Sequence, residues 1–109
     1  MSHPSNPTKA QTLRVGANLL DHAAVLGANV EPTISAPLPG FLEVNFTDVG
    51  EKISHQTISA WQLALGQAWD MKSLTHEYAG KTYRLRHCYL TYQDITVHLS
   101  VSQETAVAA

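Results

Sequence analysis

DMKSLTHEYAGKTYRLRHCYLTYQDITVHLSVSQ, residues 70–103, decides the fold of this chain. Its last third alternates without a break: Ile95, Val97, Leu99 and Val101 interleave with Thr96, His98, Ser100 and Ser102. A period of two sends successive side chains to opposite faces of a strand. One face should meet a core, the other water or a partner. Upstream, Tyr78-Ala79-Gly80-Lys81-Thr82 supplies a turn, and the whole stretch reads as three antiparallel strands in a meander. With Gly80-Lys81 as a two-residue loop, Gly80 takes the positive φ of a type II′ hairpin. Tyr78 then faces Tyr83, Glu77 faces Arg84, His76 faces Leu85 and Leu74 faces His87. The Glu77–Arg84 pair contributes about 0.2–1 kcal/mol on a solvated face.

The second turn sets which side chains are inward. A three-residue loop Tyr92-Gln93-Asp94 pairs Thr91 with Ile95, Tyr89 with Val97 and Leu85 with Val101. Tyr83, Leu85 and Tyr89 then point inward, while Arg84, Arg86, Cys88 and His98 point outward. That register also turns His87 in and Leu90 out. A two-residue loop at Gln93-Asp94 reverses the parity and buries both arginines unless a bulge intervenes. The three-residue loop, which leaves Arg84 and Arg86 solvated, is the expected one.

Working outward, Phe41 to Thr47 alternates in the same way, with Leu42, Val44 and Phe46 against Glu43 and Asn45. Between it and the meander, residues 51–65 form a helix, with Ile58, Trp61 and Leu65 at helical spacing and Gly66 at its end. Thr8 caps a first helix running to about Leu26. Leu13, Ala17, Leu20, Ala24 and Val25 supply its apolar face, and Gly27 follows as a C-terminal glycine should. Gly16 weakens that helix by about 1 kcal/mol relative to alanine, which a close approach to a sheet would explain. Residues 29–40 hold Pro32, Pro37 and Pro39, leaving room for a short edge strand at 33–35. The expected fold is α+β: an antiparallel sheet of four or five strands ending in a three-strand meander, with two helices packed on one face. The expected core holds Leu20, Leu42, Val44, Phe46, Trp61, Leu65, Leu85, Val97, Leu99 and Val101. One domain spans 1–109, with a loose tail at 1–7 and a frayed one at 104–109.

The 109 residues suit one modest core. Charged residues make up only 15% and the net charge is −2, so no global field favours nucleic acid or anionic lipid. A single cysteine, Cys88, excludes an internal disulfide or a cysteine zinc cluster and fits a reducing compartment. No apolar run approaches the ~18 residues that cross a bilayer, and the polar N-terminus lacks a secretory h-region. The expectation is a cytoplasmic protein.

Six histidines raise a metal reading. His76 and His87 become diagonal neighbours on one face, but two imidazoles fall short of the three or four ligands zinc takes. Glu77 points the other way. His98 beside Cys88 suggests an activated thiolate, yet no orienting acid or oxyanion motif accompanies it. Asp21 and His22 are adjacent on a helix and do not face each other. Arg84 and Arg86, with Lys72, Lys81 and interleaved tyrosines, suggest a sheet that binds single-stranded nucleic acid; the expected register sends Tyr83 and Tyr89 away from the arginines. No catalytic, cofactor or metal site is expected.

The strand–helix–strand–strand–strand order from Phe41 to Val101, with Leu65-Gly66 closing the helix, resembles one βαβββ module of the glyoxalase/vicinal-oxygen-chelate superfamily. That resemblance implies paired modules and metal ligands on strands. Glu43 and His98 are the candidates here, both on the polar face, and the metal chemistry is not carried over. The stretches LRVGANLLDHAAVLG (13–27), Trp61-x-x-x-Leu65-Gly66 and ITVHLSV (95–101) resemble small uncharacterised proteins of actinobacterial phages and integrative elements. This likeness implies a cytoplasmic accessory protein, a binder rather than an enzyme. The leading expectation is a non-enzymatic protein–protein interaction module, as a homodimer or with another protein, through Arg84, Arg86, Leu90, Tyr92 and His98. The alternatives are single-stranded nucleic-acid binding through Arg84/Arg86, or half of a glyoxalase-type metal- or ligand-binding module.

Overall fold

The computed structural model describes residues 7–48, 55–70 and 72–104. Two helices, α1 (Lys9–Val25) and α2 (His55–Leu65), accompany five strands. The strands are β1 (Thr33–Leu38), β2 (Phe41–Asp48), β3 (Lys72–Tyr78), β4 (Lys81–Tyr92) and β5 (Ile95–Glu104). They form one sheet in the order β1-β2-β5-β4-β3. Every neighbouring pair is antiparallel except β2 and β5, which run parallel. The fold is α+β, and the sheet ends in the expected meander. The parallel pair was not anticipated. It arises because α2, β3 and β4 together form the crossover that returns the chain beside β2. The expected helical residues 51–54 lie outside the described residues, as do the expected tails (1–7 and 104–109) apart from Pro7 and Glu104; Glu104 closes β5, so the strand runs one residue into the expected frayed tail.

Both helices lie on the sheet face that carries Leu42, Val44, Phe46, Val97, Leu99 and Val101, all buried with Leu19, Ala23, Trp61, Ala64 and Leu65. Trp61 is fully enclosed and meets Phe46 edge-on, ring centroids 5.7 Å apart at 88°. Burying each such side chain stabilises by roughly 1.5–3 kcal/mol. Helix α1 starts in a capping box: the Thr8 hydroxyl accepts from the Gln11 amide and the Gln11 side chain accepts from the Thr8 amide. Its buried face is Thr12, Gly16, Leu19 and Ala23, one position off the expected stripe. Leu13, Ala17, Ala24 and Val25 are exposed, and Leu20 is half-buried against the core. Gly16 is the reason. A Cβ there would stand 3.0 Å from Ile34 Cγ2 and 3.0 Å from Leu42 Cδ1, so the helix approaches the sheet along its glycine. The buried Thr12 hydroxyl joins this seam, donating to the Thr8 carbonyl and accepting from the Gly40 amide, each at 2.8 Å. The Gly40 carbonyl in turn accepts from the Thr96 amide at 2.9 Å, pinning the start of β5 beside β2.

Two turn readings are corrected. The first hairpin turns at Ala79-Gly80, with φ of 52° and 78°, a type I′ pattern in place of II′. Tyr78 faces Lys81, Glu77 faces Thr82, His76 faces Tyr83 and Leu74 faces Leu85, so the Glu77–Arg84 pair does not form. The pairing slides by two residues, which keeps the parity of β3 relative to β4. The second hairpin turns on two residues, Gln93-Asp94, both at positive φ (48° and 65°). Tyr92 faces Ile95, Leu90 faces Val97, Cys88 faces Leu99 and Arg86 faces Val101. This parity is the reverse of the expected one. Left-handed backbone at two non-glycine residues costs roughly 1–2 kcal/mol each. Placing Cys88, Leu90 and Tyr92 on the same side as the buried row of β5 outweighs that cost. The two arginines meet the helix side differently. Arg84 stays exposed, with its Nε donating to Ser73 Oγ at 3.2 Å. Arg86 is half-buried and lines a hollow with Ile58, Gln62, Trp69 and Val101.

Candidate functional site

The reversed parity loads the helix-free face of the sheet. On β4, Tyr83, Leu85, His87 and Tyr89 point to it; on β3, Lys72, Leu74, His76 and Tyr78; on β5, Thr96, His98, Ser100 and Ser102; on β2, Phe41, Glu43 and Asn45. Its centre is an aromatic and imidazole cluster. Tyr89 stacks on His98 with centroids 4.4 Å apart and planes at 13°. Phe41 flanks both rings, 6.5 Å from Tyr89 and 6.4 Å from His98. His87 meets His98 edge-on, with Nδ1 of His87 3.2 Å from Nε2 of His98. One of these nitrogens donates and the other accepts, which requires at least one neutral ring. Two rungs along, His76 stacks on Tyr83 at 5.5 Å. Below the cluster the Ser100 hydroxyl donates to Asn45 Oδ1, so the polar atoms at its base are satisfied.

Burial holds the His98 pKa below the usual histidine value, and the neighbouring His87 adds to the depression. Glu43, level with His98 on the parallel strand, opposes it. Cys88 behaves oppositely to the thiolate reading. Its side chain faces the core opposite Leu99, and burial, reinforced by the Asp70 charge, pushes the thiol pKa up. His98 and Cys88 therefore occupy opposite faces.

Of the five candidate interaction residues, only His98 sits on the open face. Arg84, Arg86, Leu90 and Tyr92 lie on the helix side, and Leu90 and Tyr92 are half-buried against the core. The expected outward Leu90 and inward His87 are exchanged. Leu85, expected in the core, is half-buried on the open face. The nucleic-acid reading loses its geometry. Tyr83 and Tyr89 now face outward beside Lys72 and Lys81, but Arg84 and Arg86 have crossed to the other side, so the arginine pair and the stacking rings remain apart. The His76/His87 pair is replaced by His87/His98, a contact visible only once the second turn is known. Among the described residues no group of three or more His, Cys, Asp or Glu side chains could hold a metal ion. Among them, too, no helix is long and apolar enough to cross a membrane.

Compared with known proteins, the chain matches no family model, no curated protein and no solved structure.

Proposed function

We propose that this chain is a non-enzymatic protein–protein interaction module that binds a protein partner on the helix-free face of its sheet. One observation carries the reading: the register that places Phe41, Leu74, Tyr83, Leu85, Tyr89 and three histidines on a face no helix covers. Tyr89 is 60% exposed and Leu74 55%. The charged side chains described on that face are Glu43, Lys72 and Lys81. Aromatic groups with few charges are what interface centres favour, and stacking already fixes the Tyr89 and His98 rings, so little rotamer entropy remains to be lost on binding. The low charge leaves room for a weakly charged interaction face, and the single cysteine fits a reducing compartment. The test compares capture of a partner from host lysate by the native chain, by Tyr89→Asp, and by the double variant Arg84→Ala, Arg86→Ala. Capture lost in Tyr89→Asp and kept in the arginine variant supports the reading. Capture indifferent to Tyr89→Asp contradicts it, as does retention on single-stranded DNA that the arginine variant abolishes.

A further inference from the structure

The two edges of the sheet are built differently. Edge strand β1 holds Pro37, breaks register between Ser35 and Leu38, and lies under α1. Proline, bulges and a covering helix are the devices that keep an edge from pairing. Edge strand β3, KSLTHEY, has none of them. Its register with β4 is unbroken from Lys72 to Tyr78, and every one of its side chains is exposed. Its 7 residues present an edge about 24 Å long at ~3.4 Å per residue.

The hairpin fixes which backbone groups face outward. A two-residue turn closes on a hydrogen-bonded pair, here Tyr78–Lys81. Bonded pairs alternate with non-bonded ones, so the amides and carbonyls of Tyr78, His76, Leu74 and Lys72 turn toward β4. Those of Ser73, Thr75 and Glu77 are directed off the sheet, away from β4.

We propose that β3 pairs antiparallel with β3 of a second copy about a two-fold axis at Thr75, joining two sheets into one. The strand suits itself as a partner. Centring on Thr75 pairs all of Lys72–Tyr78 and places the outward-directed groups of Ser73, Thr75 and Glu77 opposite one another. Thr75 meets Thr75, Ser73 meets the Glu77 carboxylate, Leu74 meets His76 and Lys72 meets the Tyr78 ring. Lys72 stands at one end and Glu77 near the other, so the two-fold brings the positive end of each strand to the negative end of its mate and sets no like charges opposite. The axis is perpendicular to the sheet, so the helix-free faces of both copies lie side by side as one platform. This inference goes beyond the binding-face reading and stands without it.

Light scattering on the native chain and on Thr75→Pro is the test. Proline at Thr75 removes an amide that points away from β4, so the monomer's own sheet keeps its bonds. The native chain should show twice the chain mass at micromolar concentration. Thr75→Pro should show the single-chain mass with an unchanged circular dichroism spectrum. Amide exchange supplies a check that needs no variant. The Ser73, Thr75 and Glu77 amides should slow by about tenfold or more between dilute and concentrated protein, while Leu74 and His76 stay protected throughout. A native chain that is monomeric up to hundreds of micromolar, a dimer that survives Thr75→Pro, or a dimer lost in Tyr89→Asp instead would each overturn the proposal.

Discussion

Replacing Gly16 with alanine probes the seam that sets α1 against the sheet. The new methyl would lie 3.0 Å from Ile34 Cγ2 and 3.0 Å from Leu42 Cδ1, against an ordinary carbon contact of roughly 3.5–4.0 Å. Leu42 has no exposed surface and cannot swing aside, and Ile34 is β-branched and stiff at χ1. Overpacking of this kind costs about 1–3 kcal/mol, while the gain in helix propensity returns about 1 kcal/mol. The net expectation is a loss of about 0–2 kcal/mol, centred near 1. Urea unfolding followed by tryptophan fluorescence reads it directly, because Trp61 sits in the core and Trp69 packs on Phe46. In a Leu42→Val background the Cδ1 contact is gone, and the penalty for Gly16→Ala should shrink by about 0.5 kcal/mol or more, a coupling expected of touching side chains. A Gly16→Ala variant stabilised by the full propensity gain of about 1 kcal/mol, with no coupling to Leu42, would refute the close approach.

Three further outcomes follow. The His98 pKa is depressed by burial and by His87, so below about pH 6.5 the unfolded chain binds the proton more readily than the folded one; stability should fall as pH drops through that window, and a His98→Gln variant should flatten the urea midpoint profile there. With its thiol buried and its pKa raised, Cys88 should resist a disulfide reagent in the native protein and react fully in denaturant; fast native labelling would contradict the inward placement. Trp61→Ala, which empties the centre of the core, should cost about 3–5 kcal/mol and leave little folded protein at 37 °C, measured by circular dichroism.

Much of the fold was legible because strong periodicity left few choices. The alternations at Leu42–Phe46 and Ile95–Val101 each specify a half-buried strand whatever their neighbours do, and both proved to be core rows. The helix stripe was misjudged by one position because Gly16 and Thr12 carry no hydrophobic signal. Backbone proximity and a hydrogen bond to Gly40 make that face the buried one. The site was less legible, for a single reason. Its composition depends on the parity of β4, and parity depends on whether the turn takes two residues or three. Solvating Arg84 and Arg86 argued for three. The side-by-side placement of Leu90 with Val97 and Cys88 with Leu99 argued for two, and burial of apolar area won, with Arg84 still exposed and Arg86 half-buried beside α2. Alternation within Cys88, Leu90 and Tyr92 was the signal that would have identified the open face.

The most direct test is proton NMR of aromatic contacts across β4 and β5. The two-residue turn predicts strong nuclear Overhauser effects between the Tyr89 and His98 rings, whose centroids are 4.4 Å apart, together with contacts from Leu90 to Val97. Contacts from the Tyr89 ring to the Val97 methyls, with no Tyr89–His98 effect, would mark the three-residue register and remove the aromatic face on which the functional reading stands.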